Sequence, residues 1–187
     1  MRIISGDYGG RFLKTLAGQN TRPTSDRLKE TLFNIIGPYF SGGKVLDLYA
    51  GSGALGIEAV SRGMDSAVLV DSSKEAIQII SENIKVTKEA SKFESIHSKA
   101  DYALTTLASR QEKFSLIFLD PPYGEEEIVN DIRLLVEKDL LAEIAVIVCE
   151  VGKKTDLPAE IAGIERWDAR DYRNKKIVIY QKQTNTN

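Results

Sequence analysis

The chain has 187 residues, 42% of them hydrophobic and 28% charged, with a formal net charge of −2. This is enough for one α/β domain with a substantial core and a small appendage, and it excludes a globally basic nucleic-acid binder, so any nucleic acid must meet a local patch. No apolar stretch reaches membrane-spanning length and the N-terminus lacks a signal-peptide core, which sets the expectation of a cytoplasmic protein without a membrane partner; a single cysteine, Cys149, and a single histidine, His97, leave no material for an internal disulfide, an ordinary zinc site or a Cys-His dyad, so no metal is expected.

The first forty residues read as an extension of the main domain. Two β-prone stretches, Arg2 to Ser5 and Arg11 to Leu16, flank the turn cluster Gly6-Asp7-Tyr8-Gly9-Gly10 and predict a hairpin. Through Glu30, six cations (Arg2, Arg11, Lys14, Arg22, Arg27, Lys29) face three anions (Asp7, Asp26, Glu30), which suits either contact with a polyanion or a solvated surface hairpin. Arg22-Pro23-Thr24-Ser25-Asp26-Arg27 leads into Leu28, Leu32, Ile35 and Ile36, a helix with Thr24 or Ser25 as its cap.

The expected main domain spans 41–183, with 184–187 a polar tail. Lys44 to Leu48 is a short buried strand followed by Tyr49-Ala50-Gly51-Ser52-Gly53-Ala54-Leu55-Gly56 and a helix. Glycines let the backbone turn sharply and approach a ligand, and the helix start supplies N–H groups. Gly51, Gly53 and Gly56 fit G-x-G-x-x-G, and Asp71 ends the next strand, Ser66 to Asp71, at the distance a dinucleotide-binding unit requires. A NAD-binding oxidoreductase is therefore one alternative. Asp47 favours S-adenosylmethionine (SAM) instead, because an acid just before the loop can take the amino group of a methionine moiety and would oppose a pyrophosphate. Asp71 can accept ribose hydroxyls, with Ser72 beside it. The next helix, Lys74 to about Lys88, turns Ala76, Ile77, Ile80 and Ile84 inward and carries Asn83 in either a loop-bracing or a surface role. A weaker strand, Phe93 to Ser98, delivers Asp101 and Tyr102, where the acid suits either the adenine amino group or a helix cap.

Phe114-Ser115-Leu116-Ile117-Phe118-Leu119 is a buried parallel strand that stops at Asp120-Pro121-Pro122-Tyr123. The prolines fix φ and carry no N–H, so the corner offers mainly acceptors. A carboxylate and neighbouring carbonyls can receive both hydrogens of an exocyclic amine and stabilise the positive charge that develops on its nitrogen, while Tyr123 gives a base a face to stack on. Asp-Pro-Pro-Tyr resembles the signature of SAM-dependent methyltransferases acting on adenine N6, cytosine N4 or guanine N2. It has no evident use in hydride transfer. A helix opened by Glu125-Glu126-Glu127, a strand at Ile144 to Glu150, a strand near Ile164 to Ala169 and a last one at Lys176 to Tyr180 complete a doubly wound α/β sheet.

Nearly the whole chain resembles the RsmD-type 16S ribosomal RNA (guanine-N2)-methyltransferases. The resemblance is carried by Met1 to Gly6, Arg22 to Arg27 with Leu32 to Ile35, Leu46 to Ala59, Ser61-Arg62-Gly63, Phe118 to Tyr123 and Tyr172. It implies a Rossmann-like, seven-stranded methyltransferase fold with the last strand antiparallel, and SAM converted to S-adenosylhomocysteine. The mechanism expected from these residues is in-line methyl transfer to guanine N2 of a splayed base at Asp120, Pro121, Pro122 and Tyr123. Cofactor contacts fall on Asp47, Tyr49, Gly51, Ser52, Gly53, Asp71, Ser72, Asp101 and Tyr102, with Arg22 and Thr24 placed beside the cofactor by the resemblance. RNA contacts fall on Arg2, Arg11, Lys14, Arg27 and Lys29, the partner being small-subunit ribosomal RNA, within an assembled or assembling subunit, and the protein a monomer. Tyr49 stands where phenylalanine is usual, Asp71 where glutamate is often found, and Arg173 where glycine is expected. DNA adenine-N6 methylation, which uses the same tetrapeptide, is the other alternative.

Overall fold

The computed structural model describes residues 1–16, 23–122 and 124–183, and of residues 23–25 the backbone alone. They form two compact units, Met1–Lys99 and Ala100–Asn187. Five helices and eight strands are present among the described residues.

The first unit contains α1 (Pro23–Ile36), β1 (Lys44–Asp47), α2 (Ala54–Ser61), β2 (Ser66–Asp71), α3 (Lys74–Thr87) and β3 (Phe93–His97). Its strands run parallel in the order β3-β2-β1, with Asp47 paired to Leu69 and Asp71 to His97. Burial of β1 and β2 along nearly their whole length explains why they read as short apolar runs rather than alternating ones. α1 begins at Pro23, two residues earlier than a Thr24 cap and three earlier than a Ser25 cap would set it. Pro23 occupies the first turn, where its missing N–H costs nothing. In α3, Ser73 caps the start by accepting from the Ala76 N–H at 3.3 Å.

The N-terminal arm is a hairpin with little ladder. A single antiparallel bridge joins Arg2 to Phe12, and Ile3 N–H, Gly10 N–H and Leu13 N–H donate to Arg11, Ile3 and Met1 carbonyls. The reason is that the arm spends its other donors on the domain. Ile4 and Ser5 N–H groups donate to the Glu58 carboxylate at 2.8 and 3.2 Å, Asp7 N–H to the Ser61 carbonyl at 2.8 Å, and Tyr8 N–H to Ser61 Oγ at 3.0 Å. Gly6 permits this approach: its φ is +88°, and a Cβ there would stand 1.8 Å from the Ser61 carbonyl oxygen. Ile3, Tyr8 and Leu13 are buried as a result.

Glu58, wholly buried, is the centre of the unit's polar core. Besides the two arm amides it receives Lys29 Nζ at 3.1 Å and Arg62 Nε at 2.8 Å. Lys29 also donates to the Arg2 carbonyl at 2.6 Å, and Arg62 lies 4.9 Å from the Phe33 ring centre. Burial draws the Lys29 ammonium below its ordinary pKa, an effect that the Glu58 charge opposes.

The second unit contains α4 (Ala100–Ser109), β4 (Phe114–Leu119), α5 (Glu125–Glu137), β5 (Leu141–Gly152), β6 (Glu160–Ile161), β7 (Ile164–Tyr172) and β8 (Lys175–Lys182). β4 and β5 are parallel; β5-β8-β7-β6 are successively antiparallel. The eighth strand, against the seven expected, is the two-residue β6. It pairs with β7 through Ala162-Gly163, both at positive φ (51° and 85°), the requirement of a two-residue primed turn. A strand that short, with Ala-Gly for its turn, leaves no usable trace in the residue pattern.

The β7–β8 connection is Arg173-Asn174, and Arg173 holds φ at +57°. Here the departure from glycine has a cost, because a side chain in the left-handed region is strained. Arg173→Gly should therefore raise stability by up to about 1 kcal/mol, the relief of strain exceeding the extra unfolded-state entropy. Urea denaturation, with the midpoint rising at constant slope, checks this.

Candidate active site

In the first unit, the carboxyl ends of β1 and β2 carry a turn held by named bonds. Gly51 (φ +58°) and Gly53 (φ +82°) take conformations that disfavour any side chain. Gly56 is needed for packing: a Cβ there would stand 2.3 Å from Leu69 Cδ2, so α2 sits tightly on β2, and Asp47 Cβ is 3.7 Å from the same point. Asp47 is buried at the end of β1, Tyr49 is half-buried, and Ser52 is buried.

Asp71 locks this turn. Its Oδ2 accepts from Gly51 N–H and its Oδ1 from Ser73 N–H, each at 2.9 Å. A carboxylate offers about four acceptor sites, so these two bonds use about half of them. Ser72 is exposed, and its carbonyl lies 3.0 Å from His97 Nε2. His97 thus contacts the loop after β2.

Asn83 is wholly buried and answers the question that the residue pattern left open. Its Oδ1 accepts from Lys14 N–H at 2.8 Å, while its Nδ2 donates to the Lys14 carbonyl at 2.9 Å and the Ser52 carbonyl at 2.8 Å. It ties the arm to the glycine turn. An Asn within an apolar helix face was the available signal; the identity of its partners was not in the pattern.

The five arm and helix cations differ in availability. Arg2 and Arg27 are exposed. Lys14 is exposed but paired with Glu82 at 2.9 Å. Arg11 donates to the Val86 and Thr87 carbonyls at 3.1 and 3.0 Å, neutralising the carboxyl end of α3. Lys29 is buried against Glu58, so its ammonium serves the fold and is not available to RNA. Arg22 lies outside the described residues, as do the Thr24 side chain and Tyr123.

In the second unit, Asp101 is exposed in the first turn of α4 and accepts from its neighbour's N–H, Tyr102, at 2.9 Å. Asp120 follows β4 directly, Pro121 is buried and Pro122 exposed. Leu119 pairs with Cys149 in parallel register, so Asp120 and Glu150 are next in line on neighbouring strands. Glu150 is bound by Lys175 at 3.0 Å. The Asp120 side chain is open to solvent on one side, yet its carboxyl is pushed up to about 6, first by the protein packed around it and then by Glu150, with Lys175 opposing. Cys149 is fully buried and its thiol is raised well above its ordinary pKa, as suits a structural thiol. No helix among the described residues is long and apolar enough to cross a membrane.

Parallel strands that end in a glycine turn and in an acid-proline corner define a Rossmann-like methyltransferase fold, and the comparison with solved structures agrees. An Escherichia coli structure described provisionally as the methyltransferase yhhF is 31% identical, with a TM-score of 0.84, each chain being covered to 98%. The chain belongs to the family described as conserved hypothetical protein 95, which matches residues 1–181, and the RsmD-type resemblance is one of membership. A Bacillus subtilis (strain 168) protein provisionally named rRNA methyltransferase YlbH is 42% identical over 98% of this chain and 100% of its own length. A Haemophilus influenzae protein named ribosomal RNA small subunit methyltransferase D is 33% identical over 97% of this chain and 92% of its own.

Proposed function

We propose that the protein is a SAM-dependent enzyme that methylates the exocyclic N2 of a guanine in small-subunit ribosomal RNA. The observation that carries this reading is Asp120, an acid set at the carboxyl end of β4 immediately before two prolines. The names of the relatives support ribosomal RNA as the substrate class.

SAM, when bound, supplies an electrophilic methyl group and leaves as S-adenosylhomocysteine. The donor set fits it: Asp47 suits the methionine amino group, Gly51 to Gly53 allow close backbone approach, and Asp71 has acceptor capacity for ribose hydroxyls. Tyr49 and Ser72 complete this set in the first unit, with Asp101, Tyr102, Arg22 and Thr24 assigned by family likeness alone. For the base, Asp120 and the Pro121 carbonyl accept the two N2 hydrogens, fixing the nitrogen's orientation and stabilising its growing positive charge. Pro122 stiffens the corner. Tyr123 offers a stacking face for a base taken out of its helix.

Among the arm and helix cations, Arg2 and Arg27 are the strongest RNA contacts. Arg2→Gln/Arg27→Gln should lower affinity and reduce the steepness of log affinity against log salt by about 1.5, as expected for two lost phosphate contacts. An unchanged slope in a filter-binding titration would remove the arm from the interface.

The function itself is tested by incubating the protein with methyl-labelled SAM and naked small-subunit RNA, assembled small subunits or duplex DNA, then identifying the labelled base after digestion. Label in N2-methylguanine from RNA or subunits is the expected result. Label in DNA adenine would transfer the protein to the DNA methyltransferases.

A further inference from the structure

Glu150 and Lys175 have no part in the sequence motifs, yet both stand beside Asp120. The register places Glu150 next to Asp120 at the ends of two parallel strands, β4 and β5, so two carboxylates sit side by side. On the other side of β5, Gly152 pairs with Lys175 and Glu150 with Ile177, so the Lys175 side chain is diagonal to Glu150 on the same face of the sheet. Lys175 is the first residue of β8, straight after the tight Arg173-Asn174 turn, and this fixes where its chain starts. Its Nζ meets Glu150 Oε1 at 3.0 Å, with the Glu150 side chain 21% and the Lys175 side chain 45% exposed.

We propose that Glu150 and Lys175 are a positioning pair for Asp120: Lys175 neutralises the second acid, so that Asp120 presents an ionised oxygen, correctly aimed, to the incoming amine. Two bare carboxylates on neighbouring strand ends would oppose each other's ionisation and splay apart. The charged groups acting on Asp120 are Glu150 from β5 and Lys175 from β8; Glu150 raises its proton affinity and Lys175 lowers it. Lys175 is in turn held charged by both acids against its own burial. The pair does not touch the base in this scheme. It acts through Asp120 alone, and so rests on the role given to Asp120 above.

The test follows the Asp120 carboxyl by carbon NMR titration in the substrate-free protein, in parallel with the pH profile of kcat/KM. Lys175→Met should raise the Asp120 midpoint by about one unit and move the acid limb of the profile with it, while Glu150→Gln should lower both. Lys175→Arg should keep both near the wild-type position, and it provides the comparison if Lys175→Met fails to fold. A midpoint that stays put in Lys175→Met and Glu150→Gln alike would overturn the pair's role, as would a fall in activity of equal size at every pH. A midpoint that moves while the limb does not would overturn the assignment of Asp120 as the reacting acceptor and, with it, the purpose of the pair.

Discussion

Asp120→Asn should lower turnover by about a hundredfold to a thousandfold and leave SAM affinity within about tenfold. The size is that of removing one electrostatic partner of the developing charge. The amide keeps the shape and one acceptor oxygen but loses the negative charge, and in its other orientation it turns an N–H donor towards the amine, so the base is both less stabilised and misaimed. SAM is assigned to the glycine turn, Asp47 and Asp71, so its affinity is left nearly intact. Single-turnover kinetics with calorimetric titration of SAM separates the two effects; equal losses in both would mean that Asp120 is part of the cofactor site.

The sign of the linkage argues against loss by unfolding. A carboxyl raised to about 6 in the folded protein holds its proton more tightly there than in the unfolded chain. Stability then falls as pH rises from the usual carboxylate range through about 6, since the folded state binds more protons across that window. Asp120→Asn should remove this decline and be at least as stable as the parent at pH 7. In the parent, kcat/KM should rise with pH to a plateau above about 6, the ionised form being the active one.

Glu58→Ala should cost roughly 3–5 kcal/mol, the typical loss when one member of a buried ion pair is removed. Two cations, Lys29 and Arg62, would be left in the interior without their anion, and the Ile4 and Ser5 N–H groups would lose their acceptor. Against a total stability of about 5–15 kcal/mol this is a large fraction. Replacing Lys29 and Glu58 together by methionine should recover part of the loss, because the unpaired charge goes with its partner. Recovery should stay incomplete, because Arg62 and the two arm amides remain unserved. Urea midpoints for the two variants, with Arg27→Ala as a surface control expected within about 0.5 kcal/mol, decide the point.

What could be read from residues, and what could not, divides on the range of the interaction. β1, β2 and β4 announce themselves because burial of both faces forces unbroken apolar runs, and the turn after β1 does so because Gly51 and Gly53 need left-handed backbone. Asp120 was legible because two prolines give its position a defined chemistry. Lys29 was not: its charge looked like surface in a cationic segment, and only the fold brings Glu58, a residue twenty-nine positions on, to within 3.1 Å. Glu58 carries no local signal either, since it sits within an apolar helix next to the glycine turn. Asn83 and the Glu150–Lys175 pair are of the same kind, polar residues whose meaning depends on a partner from another element. The arm's hairpin is legible in outline but its short ladder is not, since nothing local reveals that Ile4 and Ser5 donate their amides to a helix side chain.

Asn83 gives the arm a consequence for how it can be studied. The Lys14 amide is closed by a buried side chain that also grips the Ser52 carbonyl, so its proton should exchange with solvent on the slow timescale of the domain core, where a dangling tail would exchange at once. Cutting the arm away would then unseal the glycine turn as well as remove cations. A truncated protein with weak RNA binding would report a damaged scaffold, and only charge-removing point replacements at Arg2 and Arg27, with the arm left in place, can isolate what these cations contribute to recognition.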